Sequence, residues 1–122
     1  MPRPTLDEAA IHPAIRQKVA NLHADLLRQA QAEVASHAVM VFGMSGNPFV
    51  SRARKALDAA GVPHGYREIG SYFSQWRRRN ALKMWTGWPT LPMVFVRGTL
   101  VGGAEDVARL IESGELKQLL SA

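Results

Sequence analysis

An α/β fold is predicted for this chain by the order of three features. Val39-Met40-Val41-Phe42 is a short apolar run ending in Gly43, and an amphipathic stretch opens soon after at Asn47-Pro48. A second short run, residues 64–69, follows Gly61, so strand, helix and strand succeed one another as a βαβ unit with parallel strands and a right-handed crossover. Farther along, Met93–Val96 and Thr99–Val101 flank Arg97-Gly98 and predict a hairpin.

Ahead of the first strand, Ile11, Ile15, Val19, Leu22, Leu26, Ala30 and Val34 recur at spacings of three and four. This periodicity predicts one long amphipathic helix over residues 13–36, with Pro13 in its first turn. Thr5 and Glu8 have capping-box spacing, which predicts a short extra turn over residues 6–11. The chain thus divides into a helical extension, 1–37, and an α/β domain, 38–122. The stripe of the extension is expected to pack on that domain or on a second subunit.

Within the domain, Asn47 before Pro48 is an N-cap followed by a first-turn proline, and the helix it opens, residues 48–60, should stop at Gly61. Residues 71–84 read as helical, with Phe73, Trp76 and Leu82 turned inward and Trp76, Trp85 and Trp88 as packing groups. After the hairpin, Gly102-Gly103 leads into a helix over residues 104–112 that ends at Ser113-Gly114, and a last turn carries Leu116, Leu119 and Leu120. Gly102 and Gly103 are expected to need unusual dihedrals or close packing.

A hydrophobic content of 47% is enough for one domain's core. No apolar run approaches the ~20 residues that span a bilayer, and Met1 to Glu8 lacks the pattern of a signal peptide. A cytoplasmic protein with no membrane partner is therefore expected. The chain has no cysteine, which excludes disulfides, thiolate metal sites and cysteine catalysis. His12, His23, His37 and His64 lack metal-ligand spacing, and Ser45 and Ser51 have no acid–histidine pair nearby in the sequence to activate them.

The net charge of +5 favours anionic partners. Arg52, Arg54 and Lys55, and later Arg77, Arg78, Arg79 and Lys83, read first as solvated faces. Nucleic-acid binding through them ranks last among the functions considered, because interleaved aromatic residues and known motifs are missing.

Three motifs in this order resemble the glutaredoxin family. Val39–Leu57 is similar to the family's first strand, active-site loop and first helix; Trp88-Pro89-Thr90-Leu91-Pro92 resembles the Trp-Pro-Thr-x-Pro segment of the monothiol branch; and Val96–Asp106 resembles its hairpin and Gly-Gly-x-x-Asp turn. The resemblance covers residues 38–120 and implies a thioredoxin-like fold: a mixed four-stranded sheet from the βαβ unit and hairpin, with a connecting and a C-terminal helix.

The family's Cys-Pro-Tyr-Cys or Cys-Gly-Phe-Ser falls on Asn47-Pro48-Phe49-Val50, so Asn47 and Val50 occupy the two sulfur positions. Family chemistry depends on a thiolate of lowered pKa that attacks a glutathione mixed disulfide. An asparagine amide has neither the ionisable proton nor the nucleophilicity, and Met44 stands where the family carries a basic residue. No catalytic residue, no metal ligand, no required cofactor and no iron–sulfur cluster are expected, since the cluster's protein ligand is the lost cysteine.

The resemblance also implies a glutathione groove. Arg79 matches a position that pairs with the glycine carboxylate; Thr90, Leu91 and a cis Pro92 would present backbone groups to the cysteinyl part; Gly103, Ala104, Glu105 and Asp106 would hold the γ-glutamyl end. The expectation is a redox-inactive module, without thiol–disulfide enzymatic activity, that keeps a groove for glutathione or for a glutathionylated or extended peptide. The alternative is a scaffold that meets an unidentified protein partner, or a second copy as a homodimer, through residues 13–36.

Overall fold

The strand β1, Val39–Gly43, is buried along its whole length. Buried neighbours on both faces explain why it reads as a continuous apolar run instead of alternating with polar residues. In the computed structural model, which describes residues 2–121, β1 pairs in parallel with β2 (Gly65–Glu68) and antiparallel with β3 (Met93–Val96), and β3 pairs antiparallel with β4 (Thr99–Gly102). The order β2-β1-β3-β4 is the mixed four-stranded sheet expected.

Side chains alternate across this sheet with period two and divide the core. Met40, Phe42, Met93 and Phe95 point to one face, where they meet Leu26 and Ala30 of α2 (Ala24–Ser36) and Leu82 of α4 (Trp76–Thr86). Val39, Val41, Val94 and Val96 point to the other. There Leu57 of α3 (Pro48–Ala59), Val107 of α5 (Ala104–Ser113) and Leu116 of α6 (Glu115–Ser121) complete the layer. The architecture is a thioredoxin-like fold.

The long N-terminal helix is broken in two. A first helix, α1 (Pro13–Ala20), is separated from α2 by Asn21–His23, with His23 in the left-handed region at φ 46°. Histidine is among the few non-glycine residues that tolerate this region. The stripe continues in sequence, but its two halves have different surfaces to cover: Leu26 and Ala30 reach the sheet, whereas Val19 and Leu22 stay partly exposed beside α4 and Ile15 is exposed. The short turn before it is a 3-10 turn over Glu8–Ala10, capped by the Asp7 carboxylate and not by Thr5.

The helix expected over residues 71–84 begins later, at Trp76. Gly70 and Gln75 both adopt positive φ, and the Ser71 and Ser74 hydroxyls hydrogen-bond within the loop, offering the backbone an alternative to the helix. Leu82 is buried as expected. Phe73 and Trp76 are not: both face solvent. Trp85 does pack, stacked on Phe95 with ring centroids 5.8 Å apart. Arg97 and Gly98 have φ of 51° and 81°, the paired positive values of a two-residue hairpin turn.

Candidate functional site

Asn47 sits where β1 hands over to α3, and its side chain is already committed. Its Oδ1 accepts the Phe49 and Val50 amides at 2.9 and 3.3 Å, so the position that the resemblance assigns to a thiolate holds a neutral oxygen saturating the same helix N-terminus. Val50 is buried in the core, and so is Met44.

Two clefts flank this cap. The first, of about 240 Å³, brings together Thr90, Leu91, Pro92, Gly103, Ala104, Glu105 and Asp106, seven residues expected in one groove, and adds Phe49 and Trp88. The Leu91–Pro92 peptide is cis, as expected. One Asp106 oxygen accepts the Gly103 amide at 2.9 Å, a contact that closes the first turn of α5 on itself. Gly102 needs its lack of a side chain: φ is 115° and a Cβ would lie 2.5 Å from the Asp106 carboxylate. Gly103 does not, because a Cβ there meets only ordinary contact distances.

Arg79 is not among the residues lining this groove. It is 6% exposed, and its Nη1 donates to the carbonyls of Ile69 at 3.0 Å and Ser74 at 2.6 Å. The guanidinium therefore fastens the base of the loop after β2 to α4. Its place with a ligand came from the family resemblance alone, and nothing in the local spacing of the Arg-Arg-Arg run marks it as the buried one.

The second cleft, of about 350 Å³, lies on the other side of Asn47 and includes Ser51, Arg54, Tyr66 and Glu68. The Arg54 guanidinium stacks on the Tyr66 ring, its Nε buried without a hydrogen-bond partner, so the ring face is what compensates the buried charge. Burial pushes the Tyr66 phenol up to about 12, helped by its hydrogen bond to Glu68 and that residue's charge, and opposed by Arg54. Sequence reasoning missed this trio, as it missed Phe49 and Trp88 as groove walls. Phe49 was legible as an apolar side chain on the exposed first turn of α3; the Arg54–Tyr66 contact spans the parallel strand crossover and has no local signal.

The chain carries no cysteine, and among the described residues no three His, Asp or Glu side chains gather as a metal site would require. No helix among those residues is long and apolar enough to cross a membrane.

The sequence model of the glutaredoxin family matches residues 39–101. A glutaredoxin-like protein of Dictyostelium discoideum is 44% identical over 79% of this chain and 78% of its own. Glutaredoxin-C6 of Oryza sativa subsp. japonica is 34% identical over 78% of this chain and 85% of its own. Among solved structures, the buckwheat glutaredoxin–glutathione complex superposes with a TM-score of 0.71 at 28% identity, covering 83% of this chain and 92% of that one. That share is more than residues 38–122 could supply alone, so part of the N-terminal helical segment belongs to the common fold.

Proposed function

Because the chain belongs to the glutaredoxin family yet carries no cysteine, we propose that it is a redox-inactive member that binds glutathione, or an extended peptide of similar shape, without reducing a disulfide. The single observation that carries this reading is the assembly of Thr90–Pro92 and Gly103–Asp106 into one cleft beside a cysteine-free loop. The backbone at Leu91, in the cleft lining, can pair with an extended ligand as a neighbouring strand would, and the backbone amides at the start of α5 suit a carboxylate. The buckwheat relative, named as a glutathione complex, supports the same ligand for this groove. Redox chemistry fails at the first step, since neither the Asn47 amide nor the apolar Val50 can displace a thiolate from a mixed disulfide. No iron–sulfur cluster is proposed either, for want of the thiolate ligand.

The test is a titration with reduced glutathione read amide by amide. Saturable shifts at Leu91 and Gly103–Asp106, with no turnover of a glutathionylated disulfide above buffer, are expected. Absent shifts there reject the groove; turnover rejects the redox-inactive assignment.

A second reading has its own observation. Ile15 and Val19 of α1 and Leu22 of the turn after it leave an apolar stripe partly open, next to a hollow of about 210 Å³ that Val19 and Leu22 form with Leu27, Ala81, Met84 and Trp85. Covering this stripe would suit a scaffold or homodimer. Comparing the solution mass of the chain with that of Ile15→Asp/Val19→Asp tests it: a dimer that the double variant dissolves supports it, and an unchanged monomer rejects self-association. Deleting residues 1–36 is not a clean test, because it removes Leu26 and Ala30 from the core.

A further inference from the structure

We propose that the loop after β2, with Tyr72, Phe73 and Trp76 at its tip, is a contact surface for an anionic lipid bilayer. Phe73 is 98% exposed, Tyr72 61% and Trp76 54%. Three aromatic side chains exposed within five residues leave apolar area whose burial would be favourable, as at a contact surface.

The loop is built to hold them there. The Ser71 amide binds the Ser74 hydroxyl at 3.1 Å, and the Phe73 amide binds the Ser71 hydroxyl at 3.2 Å. Buried Arg79 pins the base through the carbonyls of Ile69 and Ser74. Phe73 thus projects from a braced turn. None of the three aromatic residues lines either cleft beside Asn47, so they form a projection and not the wall of a groove.

Charge selects the occupant. From residue 69 to residue 104 the chain contains no Asp or Glu, while exposed Arg77 follows the tip directly, Arg78 comes next beside Asp25 of α2, and Lys83 lies in the last turn of α4. The Arg77 guanidinium lies 5.1 Å over the Trp76 ring, and the start of α3, just past the loop after β1, repeats the pairing, with Arg52 5.1 Å over the half-exposed Phe49. The two loops leave the same end of parallel strands and are joined by the Ser45 amide on the Gly70 carbonyl at 2.7 Å. Aromatic rings at headgroup depth with arginines beside them match a negatively charged interface, which adapts to a projecting ring. A second copy would set the same arginines against one another, and an acidic protein would need a pocket shaped for Phe73. The contact is with a surface and involves no spanning segment.

The experiment is co-sedimentation of the full chain with vesicles of phosphatidylcholine alone or containing about 30 mol% phosphatidylserine, at about 0.1 M salt. Binding to the anionic vesicles at least ~10-fold tighter than to the neutral ones, weakening as salt is raised, is expected. Phe73→Ser, at a side chain with no packing to lose, should cut that binding severalfold, while Leu119→Ser, on α6, leaves it unchanged. No sedimentation with either vesicle overturns the proposal, as does binding that Phe73→Ser does not weaken. Inert vesicles together with a blue shift of tryptophan emission on adding polyglutamate, abolished by Phe73→Ser, would assign the loop to an acidic polypeptide and overturn it equally.

Discussion

The guanidinium carbon of Arg54 lies 3.8 Å from the centre of the Tyr66 ring, while the Tyr66 hydroxyl donates to Glu68 at 3.1 Å. The phenol is thus held between a cation on its face and an anion at its edge, in a cleft that already disfavours the phenolate. The folded protein keeps this proton to about pH 12, whereas the unfolded chain releases it near 10.0. Stability from Tyr66 is therefore complete below pH 10 and is lost as pH rises from 10 toward 12. Ultraviolet titration of tyrosinate in a Tyr72→Phe background should place the midpoint near 12; Glu68→Gln should lower it and Arg54→Gln raise it.

Arg79 is expected to act on stability and not on the ligand. Arg79→Ala strips two carbonyls of a charged donor in a buried setting and should cost roughly 3 kcal/mol in chemical denaturation. Hydrogen exchange at Ser74 and Gln75 should accelerate with it. If Arg79 instead held a glutathione carboxylate, Arg79→Ala would weaken binding at nearly unchanged stability.

At Asn47 the cap sets the outcome. Asn47→Ala should lower stability by about 1 kcal/mol, and Asn47→Asp should match or exceed the parent because a carboxylate caps the same amides and favours the positive end of α3. Urea denaturation at neutral pH distinguishes the two. Equal losses in both variants would remove the cap from the account.

The two halves of the N-terminal segment should respond differently. Leu26 is 1% exposed against the sheet, so Leu26→Ala should cost about 2–5 kcal/mol; Ile15 is 45% exposed, so Ile15→Ala should cost no more than about 0.5 kcal/mol. Comparable losses would mean that α1 is as firmly part of the core as α2.

Elements whose signals are local were legible in the sequence. Asn47-Pro48 announces a helix start, Arg97-Gly98 a tight hairpin, and the Val39–Phe42 run a buried strand, because each depends on dihedrals and side chains within a few positions. The cleft residues from Thr90 to Pro92 and from Gly103 to Asp106 were found as motifs, and the sheet then set them side by side. Phe73 and Trp76 were expected inward and face solvent for a common reason. Helical periodicity says which residues share a face but not where a helix begins, and the Ser71–Ser74 loop shifts that start to Trp76.

Composition alone determined the chemistry that is absent: without cysteine no spacing of the remaining residues makes a thiolate, and that holds for any fold the chain adopts. Only the tertiary structure decided which way the arginines and aromatic residues face. Their burial depends on partners distant in the chain, Ile69 for Arg79 and Tyr66 for Arg54, and on whether a neighbouring element is there to cover a ring. For Phe73 none is, and its ring stands in solvent.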